Sequence, residues 1–319
     1  MEINGVHYLS GEGDKKNHSA VEFTNMYLIH QCKILNEYYK IYPKKWNHYS
    51  NNCAVIVEPR SNHELLEAIC KNVMFFLPDD WNLVVFSNNE QSIKNRLTNI
   101  DYLYRNIIDR DNLDVIEYSN LLKSKEFWNM IPGENIIIFQ TDSYMTRHMT
   151  SLYINKIKEY PFIGAVYKIT NKEDNYNDII CPTKERNFSM SGGFSFRRKS
   201  AMLHCIEQIT RDDIITYRTS NNMAITHHVD YEDSYFEHAL MLLKYELPSY
   251  EVGRLFCAQV HYEMVNSYAI HGLYRDYVYS HLIYNLRPPL AEIYDEVIEK
   301  IGSSSIHYNI INSLTLSIV

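Results

Sequence analysis

From residue 53 onward the chain alternates short apolar runs with segments of helical periodicity, and this alternation constrains the fold most. CAVIVE (53–58), NLVVFS (82–87) and NIIIFQ (135–140) read as buried strands, and LDVIEY (113–118) as a weaker one. Between them, SNHELLEAICKNVMFFL (61–77) reads as a helix, with Ser61 as N-cap and Glu64 at the capping-box position. Further helices are expected around 90–99 and over SNLLKSKEFWNM (119–130). Largely apolar strands separated by helices predict an α/β fold: a mostly parallel central sheet with helices on both faces. In such sheets ligands bind beyond the carboxyl ends of the strands. That rule points to Glu58-Pro59-Arg60, Ser87-Asn88-Asn89 and Thr141-Asp142-Ser143.

The pattern changes on either side. Residues 1–18 are polar, and 19–42 show helical spacing of Val21, Phe23, Met26, Leu28, Ile29, Ile34, Leu35, Tyr38 and Tyr39, ending near Pro43. A polar segment, KKWNHYSNN, follows. After residue 150 a mixed α+β half is expected, with strands FIGAVY (162–167) and GGFSFR (192–197) and a loop at 171–178. Helices are expected at 199–209, 232–246 and 290–301. The expected organisation is an N-terminal helical extension (1–50), a main domain (51–275) and a C-terminal helical tail (276–319). Within the main domain, 51–150 would form the regular α/β half and 151–275 the mixed half.

The formal net charge is −8, and the basic runs Lys44-Lys45 and Arg197-Arg198-Lys199 are short. Nucleic acid is therefore not an expected partner, and both runs read as solvated surface. Six cysteines form no Cys-x-x-Cys pair, and Cys53, Cys205 and Cys257 lie in apolar runs, as reduced core thiols do. No signal-like stretch and no window of about 18 apolar residues is present, so a soluble cytoplasmic protein with no membrane span is expected.

Four segments could carry chemistry. IIIFQTDS (136–143) ends a buried strand in a carboxylate, and Asp142 there could hold a divalent cation and a diphosphate, or simply cap the next turn. In MSGGFSFRRKSAM (190–202), Gly192 and Gly193 permit close approach of a ligand and Arg197 and Arg198 could face phosphate; a tight turn is the alternative. In HHVDYEDSYFEHA (227–239), Glu232 and Asp233 open a predicted helix, where acids suit the helix dipole but could also act as a general base. His227, His228, Asp230 and Glu237 lack the spacing of a zinc site. In SYAIHGLYR (267–275), His271 is either a metal ligand or a buried, backbone-bonded side chain.

In order along the chain, these segments resemble a family of uncharacterised glycosyltransferase-like domains found in bacteria, fungi and large DNA viruses. The resemblance runs from Val57-Glu58-Pro59-Arg60 through Glu117-Tyr118-Ser119-Asn120 and Phe139-Gln140-Thr141-Asp142-Ser143. It continues with Gly192-Gly193-Phe194-Ser195, Glu232-Asp233 and Ala269-Ile270-His271-Gly272. It implies an A-type glycosyltransferase fold, with 51–150 as the nucleotide-binding half and 151–275 as the acceptor and sugar half. It implies transfer of a sugar from a nucleotide-diphosphate sugar, UDP- ahead of GDP-, to a hydroxyl on a glycan or protein. It implies that Asp142 and His271 contact a divalent cation (manganese or magnesium) or the diphosphate. Thr141 and Ser143 would flank that contact, Glu58 and Arg60 would lie near the nucleotide, and Gly192 and Gly193 would line the sugar. Asp233, or Glu232, would be the base of an inverting reaction. Only one of the two acids usual in the strand-end motif is present, Tyr167 replaces a common Trp, and Gln259 replaces a common acid. Two alternatives stand beside this reading. One is a non-catalytic sugar or nucleotide-sugar binding protein on a degenerate fold. The other is a nucleotidyltransferase, which wants a Gly-rich basic loop that does not follow the strand at 53–58.

Overall fold

The computed structural model describes residues 2–3, 6–7, 18–60, 63–106, 112–168, 182–183, 186, 188–259 and 267–272. The Ser61 cap, the 171–178 loop, Cys181, the helix expected at 290–301 and the tail from 276 lie outside the described residues.

Glu2–Ile3 (β1) pairs antiparallel with Val6–His7 (β2), so the polar leader carries a small ribbon. The helix His18–Ile41 ends two residues before Pro43, as its periodicity predicts. It buries Leu28, Leu35 and Tyr39 and leaves Ile29 exposed.

The rest of the described chain is built on one sheet of nine strands in the order β5-β4-β3-β6-β9-β8-β10-β11-β7. Asn52–Val57 (β3), Trp81–Ser87 (β4), Tyr102–Asn106 (β5) and Asn135–Phe139 (β6) pair in parallel. Ser143–Met145 (β7), Phe162–Lys168 (β8), Phe188–Arg198 (β9), Cys257–Ala258 (β10) and Ala269–His271 (β11) complete it. β9 runs antiparallel to both β6 and β8, and β7 antiparallel to β11. The sheet is therefore mixed, not mostly parallel. β10 again pairs in parallel with β8 and β11, so the parallel rule read from the first half is interrupted at β9, which lies antiparallel between β6 and β8.

Side chains alternate across the sheet. Ala54, Ile56, Leu83, Val85, Ile137 and Phe139 join one apolar core. Cys53, Val55, Val57, Val84, Phe86, Ile136 and Ile138 join the core on the other face. Both faces are dry, which is why these strands read as unbroken apolar runs. Each fully buried aliphatic contributes about 1.5–3 kcal/mol of hydrophobic stabilisation. Cys53, Cys205 and Cys257 are buried free thiols, as expected.

Three local expectations change. Residues 113–118 are not a strand; a helix, Val115–Leu122, starts there. Asp114 accepts from the Ile116 and Glu117 amides while Glu117 closes the capping box, and that outweighs a weak alternation. The strand is instead Tyr102–Asn106. The single helix expected over 119–130 is broken at Ser124, which caps a new helix, Lys125–Asn129, by accepting from Phe127 N. The second helix begins at Leu66, and Glu64 accepts a hydrogen bond from Asn25 Nδ2 at 2.8 Å.

Candidate functional site

The antiparallel pairing of β6 with β9 puts Phe139 opposite Phe194, so the strand-end residues Gln140 to Ser143 run beside Gly192-Gly193. Gln140 N and Ser143 Oγ both donate to Gly193 O, each at 2.9 Å. On the other side, β11 pairs with β7 so that His271 faces Ser143. Gly272 then turns with φ 83°, a left-handed conformation that favours glycine, and its amide donates to Asp142 O at 3.0 Å. Two sheet pairings thus carry residues far apart in sequence to one edge.

At that edge His271 Nε2 lies 3.4 Å from Asp142 Oδ1. Burial acts to raise the Asp142 carboxyl, but His271 and then His63 outweigh it and hold the group below its ordinary value. His271 is buried, its Nε2 makes no hydrogen bond of good geometry among the described residues, and its Nδ1 stands 3.4 Å from Ser191 Oγ. A divalent cation binds imidazole nitrogen and carboxylate oxygen at about 2.0–2.2 Å, so both atoms could reach one ion at this spacing. Among the described residues, no group of three or more His, Cys, Asp or Glu is placed to hold a metal. Other ligands would therefore be water or substrate oxygens, as is usual for magnesium beside phosphates.

The two glycines are required by what packs on them. A Cβ at residue 193 would stand 2.0 Å from His271 Nε2, and one at residue 192 would stand 1.9 Å from Glu232 Oε1. Neither glycine has the positive φ of a tight turn; they sit within β9 and leave room for functional side chains.

Glu232 and Asp233 open the helix Glu232–Leu242, as the sequence predicts, but their environments differ. Glu232 is buried and forked onto Arg197, with Arg197 Nη2 donating to Oε1 at 2.9 Å and Nη1 2.5 Å from Oε2. Arg197 is itself fully buried, against Phe162 and Phe236, and its Nε donates to Ser195 Oγ. The expectation that Arg197 faces phosphate is therefore corrected: its inward place on β9 sends it into the core, to pair with Glu232. Glu232 is thus held in that fork. Asp233 is partly exposed. Its Oδ2 accepts from Gly192 N at 3.2 Å and its Oδ1 from Ser234 N at 2.7 Å. Loss of hydration, then the neighbouring Glu232 charge, push its carboxyl up to about 7 against those two amides.

The loop after β3 approaches the same edge. Arg60 Nε and Nη2 donate to the two oxygens of the buried Glu58 at 2.7 and 2.6 Å. His63, also buried, stands with Nε2 3.3 Å from Thr141 Oγ1, while its Nδ1 accepts from Leu65 N. Burial pushes its imidazole down to about 4, so it is neutral near pH 7. His63 thereby links the Glu58–Arg60 loop to the Thr141–Asp142 loop. The sequence gives it only as a residue of a helix start, with no motif to mark it. Tyr118 lies in the Glu117–Asn120 segment of the resemblance, which assigns it no role. It sits beside Glu232, Gln140 and Asp233, and burial followed by the Glu232 charge raises its phenol.

His227 and His228 lie on a 3₁₀ turn, and Asp230 pairs with Arg211 at 2.5 Å. Glu237 is instead buried against Ser189 Oγ at 2.6 Å, so this set does not meet. Among the described residues, no helix is long and apolar enough to cross a membrane.

The galactosyltransferase LgtC, solved with donor and acceptor sugar analogues, is similar over 59% of this chain and 70% of its own, at 13% identity and TM-score 0.41. Core-mannan synthase A (CmsA/Ktr4) from Aspergillus fumigatus, in its Mn/GDP form, is similar over 62% of this chain and 72% of its own, at 8% identity and TM-score 0.39. No curated protein matches the sequence. Residues 104–271 match the family described as a protein of unknown function (DUF5672). That match spans more than half of the 319 residues and includes Tyr118, Asp142, Gly192, Gly193, Asp233 and His271, and the chain therefore belongs to the DUF5672 family.

Proposed function

We propose that this protein transfers a sugar from a nucleotide-diphosphate donor to a hydroxyl acceptor. One observation carries the reading: Gly192-Gly193 has the carboxylate Asp233 on one residue and the Asp142–His271 pair against the other. An acid able to take a proton thus stands next to a pair able to meet a diphosphate. The ordered resemblance of these segments to glycosyltransferase-like domains supports the same reading.

In this scheme Asp233 accepts the acceptor's hydroxyl proton as its oxygen bonds to the anomeric carbon. The bond from that carbon to the diphosphate oxygen breaks, and the diphosphate leaves with the electron pair. Displacement from the face opposite the leaving group inverts the anomeric centre. A base titrating at about 7 suits this task at neutral pH, and Gly192 N fixes the direction of its Oδ2. The Arg197–Glu232 fork holds the start of the Glu232–Leu242 helix; loss of hydration and then the Glu232 charge keep Asp233 basic, while Arg197 opposes them.

Asp142 and His271 would hold a divalent cation, manganese or magnesium, which when bound supplies charge to stabilise the leaving diphosphate. Thr141 and Ser143 fix the backbone beside that contact, Thr141 through His63 and Ser143 through Gly193 O. Glu58 and Arg60 would border the nucleotide, with UDP preferred to GDP. Asp142→Asn and Asp233→Asn, each assayed for donor hydrolysis and for transfer with UDP- and GDP-sugars, test the scheme. Full activity in both variants removes it.

A further inference from the structure

A cleft stands at the opposite ends of the strands. It has a volume of about 740 Å³ and is lined by Tyr38, Tyr42, Trp46, His48, Tyr49 and Phe75, among others. Such a volume is in the range of roughly 300–1,000 Å³ common for small-molecule sites. Its residues precede β3 and β4, whereas the site above follows β3 and β6. A six-residue strand separates the two ends by about 20 Å.

The loop that forms the cleft is pinned on several sides. Lys44 N donates to Asn99 O at 3.0 Å, and Asp101 N donates to Lys44 O at 2.8 Å. Trp46 N donates to Asp101 Oδ2 at 3.2 Å. Asn47 N and O bond the Asn82 side-chain amide, both at 2.8 Å. Lys44, read from sequence as solvated surface, is instead buried, with its Nζ on Pro78 O and near Asp79. The opposite wall is a set of packed rings, with Tyr38 edge-on to Phe75 and 5.1 Å from Tyr42.

The rings of the cleft differ in exposure, and Trp46 also packs against the core. Tyr49 is 99% exposed, Tyr42 38%, and Trp46 partly so. A fixed backbone that displays aromatic rings lowers the ordering cost of binding. The charges narrow the ligand class. Lys44 faces Asp79 at 3.4 Å, and Lys45 faces Asp101, outside the lining, at 3.8 Å, so each lysine already has a carboxylate beside it, which weighs against phosphate. Its rim carries polar groups from Lys45, Asn47 and His48, which suit hydroxyls better than an acyl chain. Flat rings with polar edges match a neutral ligand having apolar faces and hydroxylated rims.

We propose that this cleft binds a neutral oligosaccharide chain. The inference does not depend on catalysis at the other ends of the strands, since binding is measured without turnover.

Trp81 and Trp128 are fully buried, so Trp46 is the one partly exposed indole among the chain's three. Titrating the full chain with cellohexaose, mannohexaose, chitohexaose and maltohexaose, and following tryptophan emission, should give a saturable shift with at least one. Tyr49→Ala should weaken that binding at least tenfold with no change in melting temperature, because the replaced ring is in solvent. Trp46→Ala should abolish it by calorimetry, and Asp142→Asn and Asp233→Asn should bind the sugar as the unaltered chain does. The proposal is overturned if no sugar of the panel binds saturably, or if binding survives both aromatic replacements. Inorganic pyrophosphate shifting Trp46 emission where no sugar does would also overturn it.

Discussion

The imidazole of His271 occupies the space that a side chain on Gly193 would need: a Cβ there would stand 2.0 Å from Nε2. A Gly193→Ala replacement must push His271 away from Asp142. Overpacking of this kind costs about 1–3 kcal/mol. The variant should lose that much stability in urea denaturation and lose transfer activity as well.

Arg197 and Glu232 form a buried pair in which each neutralises the other. Arg197→Leu leaves a buried carboxylate uncompensated, and such breaks cost about 3–5 kcal/mol. Replacing both, as Arg197→Leu with Glu232→Leu, should recover a large part of that loss. Equal losses in the single and double variants would show that the two do not act as a pair.

Asp233 holds its proton up to about pH 7 in the folded protein, while an ordinary aspartate loses it near 3.8. Between those values the folded state binds more protons than the unfolded one. This group's contribution to stability is full below about 3.8, falls as pH rises, and is gone above about 7. Asp233→Asn should therefore be more stable than the unaltered chain at pH 8, with the gap closing at acid pH. Activity should rise with pH through the same carboxyl, as a base must be deprotonated to act. Denaturation and rate profiles over this range check both signs.

His238 works in the other direction. Its Nδ1 donates to Ser234 O at 2.7 Å and its Nε2 accepts from Arg218 Nη1 at 2.8 Å, all within the core. A second proton would oppose the guanidinium, and burial first of all pushes the imidazole down to about 4. Its contribution is present above the ordinary value of 6.5 and is lost as pH falls toward 4. The unfolding midpoint should drop over that interval by less in His238→Gln than in the unaltered chain.

Local chemistry made much of the frame legible. Runs such as CAVIVE and NIIIFQ state their own burial, since a strand covered on both faces has no reason to alternate with polar residues. The acids of Glu232-Asp233 mark a helix start for the same local reason. Capping was harder to read, because Asp114 and Ser124 act through geometry of a single turn that weak periodicity concealed.

What the sequence determined by itself is the set of elements and the chemical types at the ends of the strands. Tertiary structure alone decided which of them meet. The β6–β9 and β7–β11 registers set Gly193 and His271 beside Asp142, and no local pattern encodes pairings as distant as Phe139 with Phe194 or Ser143 with His271. The same long-range packing separated Glu232 from Asp233, neighbours of one charge, by giving one a buried guanidinium and the other only two backbone amides. Charge partners and loss of hydration are properties of the folded surroundings, and so the roles of these carboxylates were fixed there.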